Sequence, residues 1–167
     1  MARLARFRVA LGFAVGAVVF WLSRPTFVTI AIGGTVAALG EAIRIWAAGH
    51  LQKSREVTTS GPYRWVAHPL YVGSSVMGAG LAIACGSLLV AVLIASYLAV
   101  ALTVAARAEE AFLRRTFGDR YGRYERGAVD AHRRFSLGQA IANHEHRALM
   151  GLVAAVLLLA LKAARIV

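Results

Sequence analysis

Apolar positions in this chain are gathered in long runs. From Pro69 to Ala106 no side chain is charged. A bilayer core about 30 Å thick takes roughly 20 apolar residues per helix, so this run predicts two spans. Cys85-Gly86-Ser87 supplies the small residues for a hairpin between them, giving a helix over 69–85 and another over 87–106. Pro69 suits a first helical turn, where its missing N–H costs nothing. Upstream, helices are expected over about 6–23 and 26–48, parted by a tight turn at Pro25, because proline disfavours helix at the residue before it. Residues 49–68 read as a polar loop with Thr58-Thr59-Ser60-Gly61-Pro62 as its turn signal. Beyond 106 the pattern changes. Phe112, Leu113, Phe117, Tyr121 and Tyr124 recur at helical spacing among arginines, with Gly118 and Gly122 as breaks. This amphipathic stretch, 107–126, is expected along the membrane surface. A basic connector over 127–147 follows, and Leu149 to Leu161 opens a fifth apolar stretch that reaches Val167.

The expected fold is all-α: a polytopic integral membrane protein of about five transmembrane helices with a cytoplasmic amphipathic segment. It reads as one domain over 1–167, with no internal repeat.

Composition agrees. Of 167 residues 59% are hydrophobic, against roughly 45–50% in soluble domains, and the mean hydropathy is +0.62. The formal net charge is +11. On a soluble chain that would point to nucleic acid. Beside these apolar runs it points to the excess of basic residues on the cytoplasmic side of membrane proteins, and no nucleic-acid partner is expected. Counting tests the orientation. With the N-terminus inside, 16 basic residues fall on the cytoplasmic side; Arg24, Lys162 and Arg165 are the three outside. Segments 49–68 and 107–147 then face one compartment, and function is expected where they meet. Arg3, Arg6 and Arg8 before an apolar run imitate a secretory signal, but Ser23-Arg24-Pro25 offers no small-residue cleavage site, so a retained first helix is expected. The single cysteine, Cys85, cannot form an intrachain disulfide and reads as packing.

Three polar clusters can carry chemistry. Gly61-Pro62-Tyr63-Arg64-Trp65-Val66-Ala67-His68-Pro69-Leu70-Tyr71-Val72-Gly73 puts an imidazole at the mouth of a helix, where free N–H groups favour anions. Aromatic and arginine side chains also serve as plain interfacial anchors. Arg107-Ala108-Glu109-Glu110 sets adjacent carboxylates beside hydrocarbon, a costly arrangement that usually marks function. The alternative is a solvated helix start paired with Arg114 and Arg115. Glu41, Arg44, Trp46 and His50 form the third cluster. Glu41 is either functional or tied to Arg44 in an ion pair. His132, His144 and His146 lack ligand spacing and acidic partners, so no metal is expected.

Together these clusters resemble the isoprenylcysteine carboxyl methyltransferase family, related to the membrane phospholipid methyltransferases. The resemblance runs from Arg44-Ile45-Trp46-Ala47-Ala48-Gly49-His50-Leu51 through Gly61-Pro62-Tyr63-Arg64 and His68-Pro69-Leu70-Tyr71-Val72-Gly73. It ends at Glu109-Glu110, Leu113, Phe117-Gly118, Tyr121 and Tyr124, covering about 40–126. It implies an S-adenosylmethionine-dependent methyltransferase embedded in the bilayer, acting on a lipophilic or prenylated acceptor, expected to be a carboxylate. Cofactor binding falls by resemblance to Tyr63, His68, Pro69, Tyr71, Glu109 and Glu110. The catalytic candidates are Arg107 or Arg44, to hold a carboxylate acceptor, and Glu110 or Glu41, as base for an amine. The family pattern has arginine before the His-Pro pair; here Ala67 stands there. Two other readings are a non-enzymatic membrane component that binds anionic lipid or a partner, and a membrane reductase of related architecture.

Overall fold

The computed structural model describes residues 12, 14–53, 55–127 and 133–166. The described residues contain no strand, and the chain is an all-α membrane protein. The first helix, α1, is described over 14–22; the expected start near residue 6 lies outside the described residues. Then follow α2 (Phe27–His50), a 3-10 turn (Gly61–Arg64), α3 (Pro69–Ala84), α4 (Leu88–Phe117), α5 (Asp119–Glu125), α6 (Leu137–Ala142) and α7 (Glu145–Ile166). Three of them, α2, α4 and α7, are long and apolar enough to cross a bilayer, while α3 is a shorter apolar helix.

Local chemistry sets the boundaries. Thr26 and Thr29 form a reciprocal capping box at the start of α2, satisfying N–H groups that no helical carbonyl reaches. Pro69 occupies the first turn of α3, and the Ser87 hydroxyl caps α4. The hairpin between α3 and α4 turns at Gly86, with φ +63°, where a side chain would also run into the Arg24 carbonyl. Two expectations are corrected. The helix expected to stop at Ala106 continues to Phe117, because the amphipathic stretch keeps helical periodicity; the break comes at Gly118, with φ +42°. The fifth apolar stretch begins at Glu145 and reaches Ile166, 22 residues.

α2 and α3 form the most intimate pair. They run antiparallel, with Gly33 against Gly80 and Ala84, and Gly40 against Gly73 and Met77. A Cβ at either α2 glycine would collide with α3 backbone. Between apolar helices in lipid, such close backbone approach replaces the hydrophobic drive available in water. α7 lies antiparallel to α2, with Leu159 and Ala163 packed beside Ile30 and Ala84. At one end, Lys162 donates to the carbonyl of Trp21 (2.9 Å) at the last turn of α1. At the other, Glu145 meets Arg44. The outward faces of α4 and α7 are apolar, with Leu88, Val100 and Leu157 exposed to the surroundings.

Residues 133–143 of the expected basic connector pack across the end of α2; residues 128–132 lie outside the described residues. Asn143 donates to the carbonyls of Ala48 (2.8 Å) and Leu51 (3.0 Å), and Gln139 also donates to Leu51 (3.0 Å). These bonds satisfy carbonyls left over at a helix C-terminus.

Candidate functional site

The segments 49–68 and 107–147 do meet at one end of the helices. The Tyr124 hydroxyl donates to the Tyr63 carbonyl (2.8 Å), and Arg133 pairs with Glu56 (2.8 Å). Between them is a cleft of about 400 Å³, within the size range of small-molecule sites. Arg44 and Glu145 stand at the helix ends that border it; Lys53 comes from the loop. Tyr63, Phe112 and Tyr124 supply aromatic surface. Tyr71 and Glu109 supply hydrogen-bonding groups from α3 and α4.

One side of the cleft is built on His68. As the N-cap of α3 it makes no side-chain cap bond, so the ring is available to α4. Its Nε2 lies 3.2 Å from Glu110 Oε1 and its Nδ1 3.6 Å from Glu109 Oε2. The ring stacks on Tyr71 with centroids 5.3 Å apart. Tyr71 in turn donates its hydroxyl to Glu109 Oε2 (2.7 Å). The bond to Glu109, reinforced by Glu110, raises the His68 imidazole above its ordinary 6.5 against the opposing effect of burial. A protonated His68 bridging two carboxylates offsets the repulsion between them. Tyr63 is pushed the same way, first by burial and then by the Glu109 charge, and so stays a neutral phenol.

The candidate residues therefore separate. Tyr63, Tyr71, Glu109 and Arg44 line the cleft. His68 and Glu110 do not line it; His68 backs Glu109 and Tyr71, and Glu110 contacts His68. Pro69 is buried in the first turn of α3 and sets where that helix begins. Arg107 is exposed on α4 and does not line the cleft.

Arg44 is engaged from three directions. It makes two hydrogen bonds to Glu145, 2.9 and 3.1 Å, a third to Ser74, and an ion-pair contact to Glu41 at 3.4 Å. Gly73 makes room, since a Cβ there would strike the Arg44 side chain. His50 is a packing residue: it is buried, its Nδ1 contacts the Trp46 carbonyl (3.0 Å), and Gly61, with φ +57°, lies against its ring. Sequence reasoning missed Glu145, Asn143 and Lys53 as cleft residues. Glu145 had one usable signal, an acid set just before an apolar run. His144 and His146 stand edge to face at 5.9 Å, and His132 lies outside the described residues.

Apolar helices long enough to span a bilayer, joined at one end by a cleft lined with aromatic, apolar and charged side chains, define a membrane protein with a cleft at one end of its helices. The chain belongs to the phospholipid methyltransferase family, which matches residues 7–120. This is a family of membrane methyltransferases related to the isoprenylcysteine carboxyl methyltransferases. It is also 34% identical over 99 residues to the nickel-cobalt-cadmium resistance protein NccN of Alcaligenes xylosoxydans xylosoxydans. That alignment covers 58% of this chain and 45% of the relative, so the chain spans about half the length of the curated protein it matches. No solved structure matches it.

Proposed function

We propose that this chain is an S-adenosylmethionine-dependent methyltransferase whose cleft faces the cytoplasm and whose acceptor is lipophilic. The observation that carries the reading is Glu109, oriented into the cleft by the Tyr71 hydroxyl and backed by His68 and Glu110.

The residues suit the cofactor. Its ammonium and ribose diol need acceptors, and Glu109 provides them. Its carboxylate needs a cation, and Lys53 lines the cleft. Its purine and sulfonium need aromatic faces, and Tyr63, Phe112 and Tyr124 line the cleft too. Ala67 also borders the cleft where the family pattern has arginine, while Arg64 does not. Lys53 is therefore the cation for that role. When bound, the cofactor supplies an electrophilic methyl group. The chain's share of catalysis is to hold the reactants in line and exclude water.

The acceptor is the open part. A carboxylate acceptor, as in isoprenylcysteine methylation, needs a free arginine. Arg44 is already committed to Glu145, and Arg107 lies outside the cleft. Those two facts lend weight to an acceptor of another charge.

The test is transfer of label from methyl-tritiated S-adenosylmethionine into solvent-extractable lipid by membranes carrying the chain. Transfer that falls with Glu109→Gln supports the reading; transfer equal to membranes without the chain contradicts it. The name of the relative suggests a second reading, a membrane component of metal tolerance. Growth of a deletion strain in nickel, cobalt or cadmium, with and without the Glu109→Gln chain, separates tolerance from methyl transfer.

A further inference from the structure

A second cavity of about 400 Å³ runs between α2 and α7 and is almost wholly apolar. Gly34, Ala38 and Ile45 form one wall, and Leu149, Val153 and Leu157 the other. Ala38, Leu149, Val153 and Leu157 are exposed, so the groove opens toward the bilayer. Its one ionisable lining residue among those described is Glu41, which is 2% exposed. Neither Glu41 carboxylate oxygen has a hydrogen-bond partner. Arg44 reaches Glu41 only as a long ion-pair contact, Nε 3.4 Å from Oε2 and outside hydrogen-bond geometry, and its terminal nitrogens are taken by Glu145 and Ser74. The cluster thus holds two carboxylates, Glu41 and Glu145, against one guanidinium. A buried carboxylate that shares its one cation with a second carboxylate and accepts no hydrogen bond is left short of a donor and of positive charge.

We infer that the α2–α7 groove binds a lipophilic molecule with a net-cationic amine head, whose ammonium sits on Glu41 and whose chain lies between the two helices. Charge selects this occupant. An amphiphile with a carboxylate head adds a third anion to the cluster. A zwitterionic phospholipid brings a phosphate into a groove whose described lining carries no cation. A long-chain amine completes the charge balance and satisfies the Glu41 oxygens. Glu41 and the α2 wall lie within the family match, residues 7–120, and the α7 wall lies beyond it. Arg44 contacts Glu41 and also lines the first cleft. On the reading above, on which this clause rests, the groove's occupant is the methyl acceptor.

The test uses the full chain in phosphatidylcholine nanodiscs with three diazirine probes of equal chain length: a primary amine, a carboxylic acid and a phosphatidylethanolamine. Labelled residues are mapped by mass spectrometry. The amine is expected to label Leu149, Val153 and neighbours about tenfold or more over the other two, the low end for one charge-assisted contact. Glu41→Gln should bring the amine down to the level of the acid. Because Glu41→Gln can disturb folding, Val153→Trp serves as a second variant: it fills the groove from an exposed position and should also abolish amine labelling. Equal labelling by all three heads means an ordinary lipid boundary and overturns the proposal. So does protection from every probe, which would assign the groove to the chain itself. S-adenosylmethionine binding is measured on the same samples. Cofactor binding without Glu41-dependent amine labelling sinks this inference alone, and labelling without cofactor binding sinks the methyltransferase reading alone.

Discussion

Arg44 and Glu145 stand 101 residues apart in the chain and meet through two charge-assisted hydrogen bonds, 2.9 and 3.1 Å long. The contact pins the first turn of α7 to α2 at the border of the cleft. Removing one partner of a fully buried pair costs about 3–5 kcal/mol where the other charge is left uncompensated; this pair is partly buried and Arg44 also contacts Glu41. Glu145→Gln, which leaves Arg44 in contact with Glu41, should therefore lower the thermal midpoint in detergent by less than Arg44→Met, which strands both Glu41 and Glu145. A Glu145→Gln chain as stable as the parent would show that the pair holds nothing together.

The α2–α3 contact gives a cleaner packing test. Gly40 faces α3 backbone, whereas a Cβ at Gly34 meets nothing within 4 Å. Gly40→Ala should destabilise by about 1–3 kcal/mol, the usual cost of overpacking. Gly34→Ala should be neutral or stabilising by up to about 1 kcal/mol through helix propensity. Measured unfolding midpoints that place the two variants together would contradict the antiparallel register described.

His68 makes stability depend on pH. Its folded-state value is raised by Glu109 and Glu110. Its stabilising contribution is thus complete below the unfolded value of about 6.5 and disappears as pH rises through the higher folded value. The stability gap between the parent and His68→Gln should be largest near pH 6 and close in the alkaline direction. A gap that instead widens with rising pH would mean that His68 does not bridge the carboxylates as a cation.

Orientation is open to labelling. In a Cys85→Ala background, cysteines at Arg55 and Arg134 should react with an impermeant maleimide from the cytoplasmic side, and one at Ser87 from the opposite side. Arg55 and Arg134 on different faces would take the cleft apart.

Much of this fold could be read from the sequence where a single residue type dictates the local outcome. Pro69 and the small residues at 85–87 placed both ends of α3 and the start of α4 to within a residue. The long charge-free run gave the helix count there. The end of α4 was misplaced because the first arginine after an apolar run marks the edge of the hydrocarbon, not the end of hydrogen bonding. The helix ran on until Gly118. Tyr63, Tyr71 and Glu109 were named from the family resemblance, and all three line the cleft. Two facts lay beyond one-dimensional reasoning. His68 turns toward α4, which depends on how α3 and α4 cross. Glu145 reaches Arg44 only through the packing of α7 on α2, and nothing near Glu145 in the chain records that neighbour.

The central claim is that Glu109 faces a bound cofactor while Glu110 stands behind it. Calorimetric titration of S-adenosylmethionine into the purified full chain, beside Glu109→Gln and Glu110→Gln, tests it most directly. Loss of a hydrogen bond to a charged group costs about 1.5–3 kcal/mol, so Glu109→Gln should weaken binding roughly 10- to 150-fold. Glu110→Gln should act only through His68 and weaken it much less. Saturable binding with that order supports the account; no binding to the parent, or equal affinity in parent and Glu109→Gln, would contradict it.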